Sequence, residues 1–135
     1  IFSKRPNLSL IREEETLSRF MTSHWYSKEK RQVKREAFMP NPRDGQTSVF
    51  RTSGLTGDAI WSLARDQLDL PSGRRIHGRG DIEASGIRST GLRVEPEVST
   101  HRLHANILGW PSEKLQQQLF ASELALKATL RLLEE

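Results

Sequence analysis

A stretch of eight residues, "HRLHANIL" at positions 101–108, constrains the fold of this chain most strongly. Apolar and polar side chains alternate along it, with Leu103, Ala105 and Ile107 interleaved with Arg102, His104 and Asn106. Because successive side chains of a β-strand point to opposite faces, this pattern predicts a strand with one buried face and one polar face. Such a strand needs neighbouring strands and a covering layer over its apolar side.

Three other segments predict strands, and four predict helices. The predicted strands cover 32–39, 47–53 and 92–98, where β-branched or aromatic residues gather or alternate with polar ones. Predicted helices cover 10–21 after a Ser9 cap, 57–68 after a Thr56 cap, 82–90 after an Asp81 cap, and 111–133. The expected class is α+β, with a small, mostly antiparallel sheet of about four strands covered by helices.

The last predicted helix carries the longest apolar row in the chain. Its leucines follow helical spacing at Leu115, Leu119, Leu126, Leu130 and Leu133, and Phe120 and Leu124 widen the row. A helix of about 22 residues is roughly 33 Å long. We expect this row to pack on the sheet or on a partner, including a second copy of the chain.

Length and composition predict one domain without disulfides or membrane spans. The 135 residues fit a single globular domain at 9–135, preceded by a flexible polar arm at 1–8. No apolar run approaches the roughly 20 residues that cross a bilayer. The chain contains no cysteine, which excludes thiol nucleophiles and cysteine-ligated metals and fits a reducing compartment. We therefore expect a cytoplasmic protein without a membrane partner.

The charge of the chain favours a polyanionic partner. Its net charge is +4, and arginine outnumbers lysine 15 to 6. Arginine presents a planar fork of donors that suits phosphate and carboxylate groups. The sequence therefore predicts nucleic-acid binding, to RNA rather than DNA, while ordinary solubility charge is the plainer interpretation.

An aromatic and basic stretch at 24–35 strengthens this expectation. Trp25 and Tyr26 are candidates to stack on bases, and the cations that follow are candidates to contact phosphates. Those cations are Lys30, Arg31, Lys34 and Arg35. The alternative is a core tryptophan next to a solvated basic face.

The stretch "RRIHGRGDI" at 74–82 is a second candidate for anion binding. Arg74, Arg75 and Arg79 surround a glycine-containing turn, although Asp81 as a helix cap would make the turn structural. The two glycines do not form a dinucleotide fingerprint, because the third glycine position holds Glu83. The sequence also lacks a P-loop, so no nucleotide cofactor is expected.

Metal-independent phosphodiester chemistry is the enzymatic hypothesis. The histidines lack the spacing of metal ligands, so no metal site is expected. His104 and His77 are the acid–base candidates, with Arg51 as a third catalytic candidate and Arg102, Asn106 and Arg79 as phosphate contacts. The simpler alternative is a solvated sheet face on which a backbone carbonyl satisfies His104. The alternative function is a non-catalytic subunit that binds an acidic protein through its C-terminal helix and arginine-rich surface.

Overall fold

A computed structural model describes residues 10–135 and contains a six-stranded antiparallel sheet. Its strands, together with those of a small separate hairpin, are β1 Thr16–Met21, β2 Tyr26–Ser27, β3 Gln32–Val33, β4 Thr47–Arg51, β5 Gly78–Glu83, β6 Arg93–Pro96, β7 His104–Leu108 and β8 Thr129–Leu132. The spatial order in the large sheet is β6-β7-β4-β1-β5-β8, and β2 pairs with β3 in the hairpin. The α+β class and the antiparallel sheet are confirmed, with more strands than expected.

The helices are shorter than the sequence pattern suggests. They are α1 Gly57–Ala64, α2 Leu70–Ser72, α3 Ala84–Arg88 and α4 Lys114–Lys127, and a wider π-helical turn, Arg65–Asp69, joins α1 to α2. Two 3₁₀ turns cover Ser23–Trp25 and Arg35–Phe38. The cap of α1 is confirmed, because the Ala59 amide donates to the Thr56 hydroxyl at 3.2 Å.

Both faces of the sheet are covered, so the molecule has three layers. Leu17, Val49 and Ile107 lie on the face that packs against α4 and the second 3₁₀ turn, where Phe38 is fully buried. Phe20 and Phe50 lie on the opposite face and pack against α1. The predicted alternation is confirmed for Ala105 and Ile107, which are buried on the first face, whereas Leu103 precedes β7 and packs on the opposite face.

The predicted helix at 10–21 was wrong. This segment forms a turn followed by β1, which is the strand between β4 and β5. Leu17 and Met21 are four apart, which fits a helix, but both positions also share one face of a strand. Backbone pairing with two neighbours decides in favour of the strand, a tertiary effect that overrides local preference. The proposed Ser9 cap and the arm at 1–8 lie outside the described residues.

The predicted helix cap at Asp81 was also wrong. Asp81 lies within β5, and α3 begins at Ala84 without a side-chain cap. The Asp81 carboxylate instead accepts from the Ser18 hydroxyl at 2.6 Å.

Close packing explains the glycine at position 78 of the same strand. A Cβ added there would lie 3.0 Å from the Tyr26 ring.

Two further boundaries differ from the sequence predictions. Only Gln32–Val33 of the predicted 32–39 strand is extended, and the 3₁₀ turn follows it. The C-terminal helix ends at Lys127, after which Leu130 and Leu132 are buried from β8. No helix in residues 10–135 has the length and apolarity to cross a membrane.

Candidate functional site

A cleft opens at the end of the sheet where β1 finishes and β4 begins. Its volume is about 1080 Å³. Side chains from β1, β4 and β7 line it, together with the segment at 39–46 and the chain between the π-helical turn and β5. The polar lining includes Arg19, Ser48, Arg74, His104 and Asn106, and Trp25 and Phe20 add aromatic surface.

The cleft exists because β1 and β4 separate after a short ladder. They share only the pairs Leu17↔Arg51 and Ser18↔Phe50. The Arg19 guanidinium bridges the gap beyond this ladder, donating to the Ser48 carbonyl at 2.8 Å and the Ala37 carbonyl at 2.7 Å. Arg19 also lies over the Trp25 ring, with its guanidinium carbon 4.7 Å from the ring centroid.

Arg19 and Arg74 are the two arginines that line the cleft, whose lining also contains the carboxylates of Glu36, Asp44 and Glu97. Within residues 10–135 neither guanidinium contacts a carboxylate, and the polar partners of Arg19 are carbonyls. Burial, and next the charge of Arg74, lower the pKa of Arg19 to about 10, so the side chain still carries its charge at neutral pH. Two neighbouring guanidinium groups that contact no carboxylate leave donors for an anionic ligand between them.

A second arrangement on the cleft wall links Ser48, His104 and Glu97. The Ser48 hydroxyl lies 2.5 Å from Nε2 of His104. Nδ1 of the same ring lies 3.1 Å from Oε2 of Glu97 and 3.0 Å from the Glu97 carbonyl. Register explains the first contact, because Phe50 pairs with His104 and Ser48 is two residues before Phe50 on the same face.

The partners of His104 determine its tautomer. Both atoms near Nδ1 are acceptors, so Nδ1 carries the proton and donates. With the proton of the imidazole on Nδ1, Nε2 has a lone pair that accepts a hydrogen bond from the Ser48 hydroxyl. The Phe50 ring meets the imidazole edge-on with centroids 5.3 Å apart, which restricts rotation of the ring. His104 is 7% exposed, so it is held by packing as well as by hydrogen bonds.

Glu97 is kept ionised by the turn that follows β6. The Ser99 hydroxyl donates to its Oε1, the Ser99 amide donates to the same oxygen at 3.1 Å, and the Thr100 hydroxyl donates to Oε2 at 3.0 Å. These donors, with Ser99 the largest contributor, lower the pKa of Glu97 to about 2. A carboxylate is therefore present beside His104 throughout the neutral range.

This pKa predicts an acid-dependent contribution to stability. Because the folded pKa of about 2 is below the ordinary value of 4.5, the contribution is present above pH 4.5 and lost as pH falls toward 2. Glu97→Gln is expected to lower the melting temperature at pH 7, with the difference shrinking at pH 3. Glu95→Gln, at an exposed position two residues earlier, is the control and should change little at either pH. An equal difference for Glu97→Gln at both pH values would contradict this account.

Four of the residues predicted from sequence line the cleft, namely Trp25, Arg74, His104 and Asn106. Asn106 donates to the Gln46 side chain at 2.7 Å. His104 also has the backbone carbonyl partner that the simpler interpretation expected. His77 is not part of the lining, and its backbone bridges Met21 and Leu133 instead.

The structure does not bring Arg51 to the cleft. Its guanidinium forms a buried pair with Glu15 and donates to the Leu10 carbonyl at 2.9 Å. Arg51 and Ser48 differ by an odd number of positions on β4, so their side chains point to opposite faces. Arg79 is also enclosed, because it pairs with Asp81 at 3.1 Å and its guanidinium carbon lies 4.7 Å from the Trp61 ring centroid.

The remaining predicted cations lie on other surfaces. Arg75 and Arg102 are exposed outside the cleft lining, and Lys30 and Lys34 are exposed around the β2–β3 hairpin. Arg31 pairs with Glu135, and Arg35 lies 3.4 Å from Glu36. Tyr26 packs on the core at Gly78.

Sequence reasoning missed Arg19, Ser48 and Glu97. Arg19 lay in a segment interpreted as a helix. The alternation of "TSVFR" places Ser48 and Arg51 on opposite faces of the predicted strand. This pattern could have indicated that Arg51 and Ser48 do not share a site. Which histidine meets Ser48 depends on the register between strands distant in sequence, and no local pattern gives that register.

Comparisons with protein-family models, with curated proteins and with solved structures find no match to this chain. Within residues 10–135 no group of three or more histidines and carboxylates is arranged to hold a metal ion.

Proposed function

We propose that this protein binds nucleic acid through the cleft, with a phosphate group held between Arg19 and Arg74. The neighbouring guanidinium groups without a carboxylate partner are the observation that carries this proposal. Arg19 is already oriented by two carbonyls and by the Trp25 ring, so a phosphate meets a prearranged donor. The net charge of +4 adds a longer-range attraction for a polyanion.

The shape of the cleft favours a single strand, and RNA over DNA. A concave site of about 1080 Å³ admits unpaired nucleotides rather than the convex backbone of a duplex. Sequence-specific RNA recognition mostly uses unpaired bases, which stack on aromatic or guanidinium planes. The Trp25–Arg19 stack is a surface of this kind.

A titration at two salt concentrations tests the proposal. With two phosphate contacts the expected slope of log affinity against log salt is about −1.4, since single strands give about −0.7 per contact. Affinity for single-stranded RNA should therefore fall about sevenfold between 50 and 200 mM salt. Single-stranded DNA of the same sequence and duplex RNA should bind more weakly. An affinity independent of salt, or a preference for duplex, would overturn the proposal.

A second candidate function, self-association, rests on a row of exposed leucines on α4. Leu115, Leu119 and Leu126 are 63%, 61% and 81% exposed. Spacings of four and seven place them on one helix face, while Ala121, Leu124 and Ala125 face the core. This row is apolar, which suits a second copy of α4 in an isologous pair better than an acidic protein.

The solution mass distinguishes this second candidate. A dimer is expected at high concentration, and Leu119→Lys should convert it to a monomer because a charge would then be buried at its centre. Leu70→Lys is the matched control, since Leu70 is 71% exposed on a different element. A wild-type protein that stays monomeric at its highest attainable concentration would exclude the dimer.

A further inference from the structure

The Ser48–His104–Glu97 chain has the parts of a nucleophilic centre. A hydroxyl lies 2.5 Å from one imidazole nitrogen, and a carboxylate oxygen lies 3.1 Å from the other. A nucleophile, a base and a group that orients the base are what covalent catalysis by serine requires. The same arrangement arises on unrelated folds and is recognised by geometry rather than by order along the chain.

The position of the serine adds a second argument. Ser48 is only partly buried and is one of the residues that line the cleft. The Arg19 guanidinium donates to the main-chain carbonyl of the same residue at 2.8 Å, so a cation contacts the backbone of the candidate nucleophile. A positive charge in the lining of the cleft stabilises a negatively charged transition state that forms there.

We propose that Ser48 is a nucleophile that attacks the phosphorus of a phosphodiester bound in the cleft, with His104 as its base and Glu97 as the residue that positions His104. The proposal rests on the proposed binding of nucleic acid, which supplies the phosphodiester. Arg19 and Arg74 neutralise the non-bridging oxygens in the transition state.

The reaction has two balanced steps. In the first, the Ser48 proton moves to Nε2 of His104 as the oxygen bonds to phosphorus; the bond to the leaving oxygen breaks, and His104 protonates that oxygen to release an alcohol. This leaves a phosphodiester between Ser48 and the remaining strand. In the second, His104 takes a proton from water, the hydroxide displaces Ser48 from phosphorus, and the serine regains its proton.

This mechanism needs no 2′-hydroxyl in the substrate. The nucleophile comes from the protein, so single-stranded DNA is cleaved at the same bond type as RNA once it is bound. A base acting on the 2′-hydroxyl instead would cleave RNA alone, without a covalent intermediate. Substrate range and covalent labelling therefore distinguish the two mechanisms.

A fluorophosphonate reagent tests the nucleophile directly, because it bonds to an activated serine with loss of fluoride. We expect labelling of the full chain, with peptide mapping placing the adduct on Ser48. Ser48→Ala should abolish labelling, and His104→Gln and Glu97→Gln should each slow it at least about 100-fold, the lower end of acid–base contributions. Ser62→Ala is the control and should label normally, because the Ser62 hydroxyl accepts from Arg65 rather than contacting a histidine.

Hydrolysis of bis(4-nitrophenyl) phosphate gives a second readout, since this diester has no 2′-hydroxyl. Turnover by the wild type and loss in Ser48→Ala would support the proposal. Labelling of another residue, or no labelling of the folded wild type, would overturn it even if Ser48→Ala does not fold. If labelling fails while RNA binding remains salt-dependent, the catalytic proposal alone is wrong. If Ser48 is labelled and RNA does not bind, the nucleic-acid proposal is wrong.

Discussion

Arg51→Met is expected to lower the free energy of unfolding by about 3 to 5 kcal/mol, the usual cost of breaking a buried ion pair from one side. The Arg51 and Glu15 side chains are only 5% and 13% exposed. The guanidinium contacts both carboxylate oxygens and also donates to the Leu10 carbonyl. Removing it leaves the Glu15 charge buried without its principal partner. Urea unfolding measures the loss.

Two comparisons separate this effect from simple loss of charge. Arg93→Met removes an arginine that is 62% exposed and whose partner Glu95 is 58% exposed, so the loss should stay within about 1 kcal/mol. The double variant Arg51→Met/Glu15→Leu should recover much of the stability, because it leaves no unpaired charge. A loss below about 1 kcal/mol for Arg51→Met would show that the pair is effectively solvated.

The same variant decides whether Arg51 belongs to the site. Arg51 points away from the cleft face of β4, so the folded fraction of Arg51→Met should bind RNA with unchanged affinity. A lower affinity for RNA in a stably folded Arg51→Met variant would indicate that Arg51 contacts the ligand.

Arg19→Gln is expected to weaken RNA binding by about 10- to 100-fold, since hydrogen bonds to charged groups contribute about 1.5 to 3 kcal/mol. Glutamine retains a donor of similar polarity but carries no charge, so both the affinity and the salt slope should fall. Loss of the bridge to Ser48 and Ala37 should also cost about 1 kcal/mol of stability for each net hydrogen bond. Equilibrium titration beside urea unfolding separates the two effects.

Arg74→Gln removes the second cation without disturbing the sheet. Arg74 is exposed in the connection before β5, so stability should change by less than about 0.5 kcal/mol. The salt slope should decrease by about 0.7, the value for one single-strand phosphate contact. Arg75→Gln is the matched control, because Arg75 is the exposed neighbour outside the cleft. Equal losses for Arg74→Gln and Arg75→Gln would mean that general charge, rather than the cleft, attracts the ligand.

Ser48 and Arg51 on β4 show how much of the site could be predicted from the sequence. The strand character of 47–53 follows from its composition, and its alternation separates Ser48 from Arg51. Arg51 and His104 are both polar and lie in predicted strands, which by itself does not place them on one face of the sheet. To predict which residues of two strands share a face, one needs the register between the strands as well as the alternation along each of them.

The sequence by itself determined the features that depend on neighbouring residues. The alternation at 101–108 predicted β7 and its buried face, Thr56 predicted the start of α1, and the composition of 47–53 predicted β4. These features depend on period-two patterning and capping, which involve residues close in sequence.

The tertiary structure decided everything that depends on distant pairing. It made 16–21 a central strand, ended the last helix at Lys127 and turned the leucine row outward. It also brought together Ser48, Glu97 and His104, of which Ser48 and His104 are 56 positions apart. The physical reason is that hydrogen bonds between strands, and burial against a covering layer, involve residues that are distant in sequence. A segment whose local pattern fits both a helix and a strand therefore adopts the structure that these contacts stabilise.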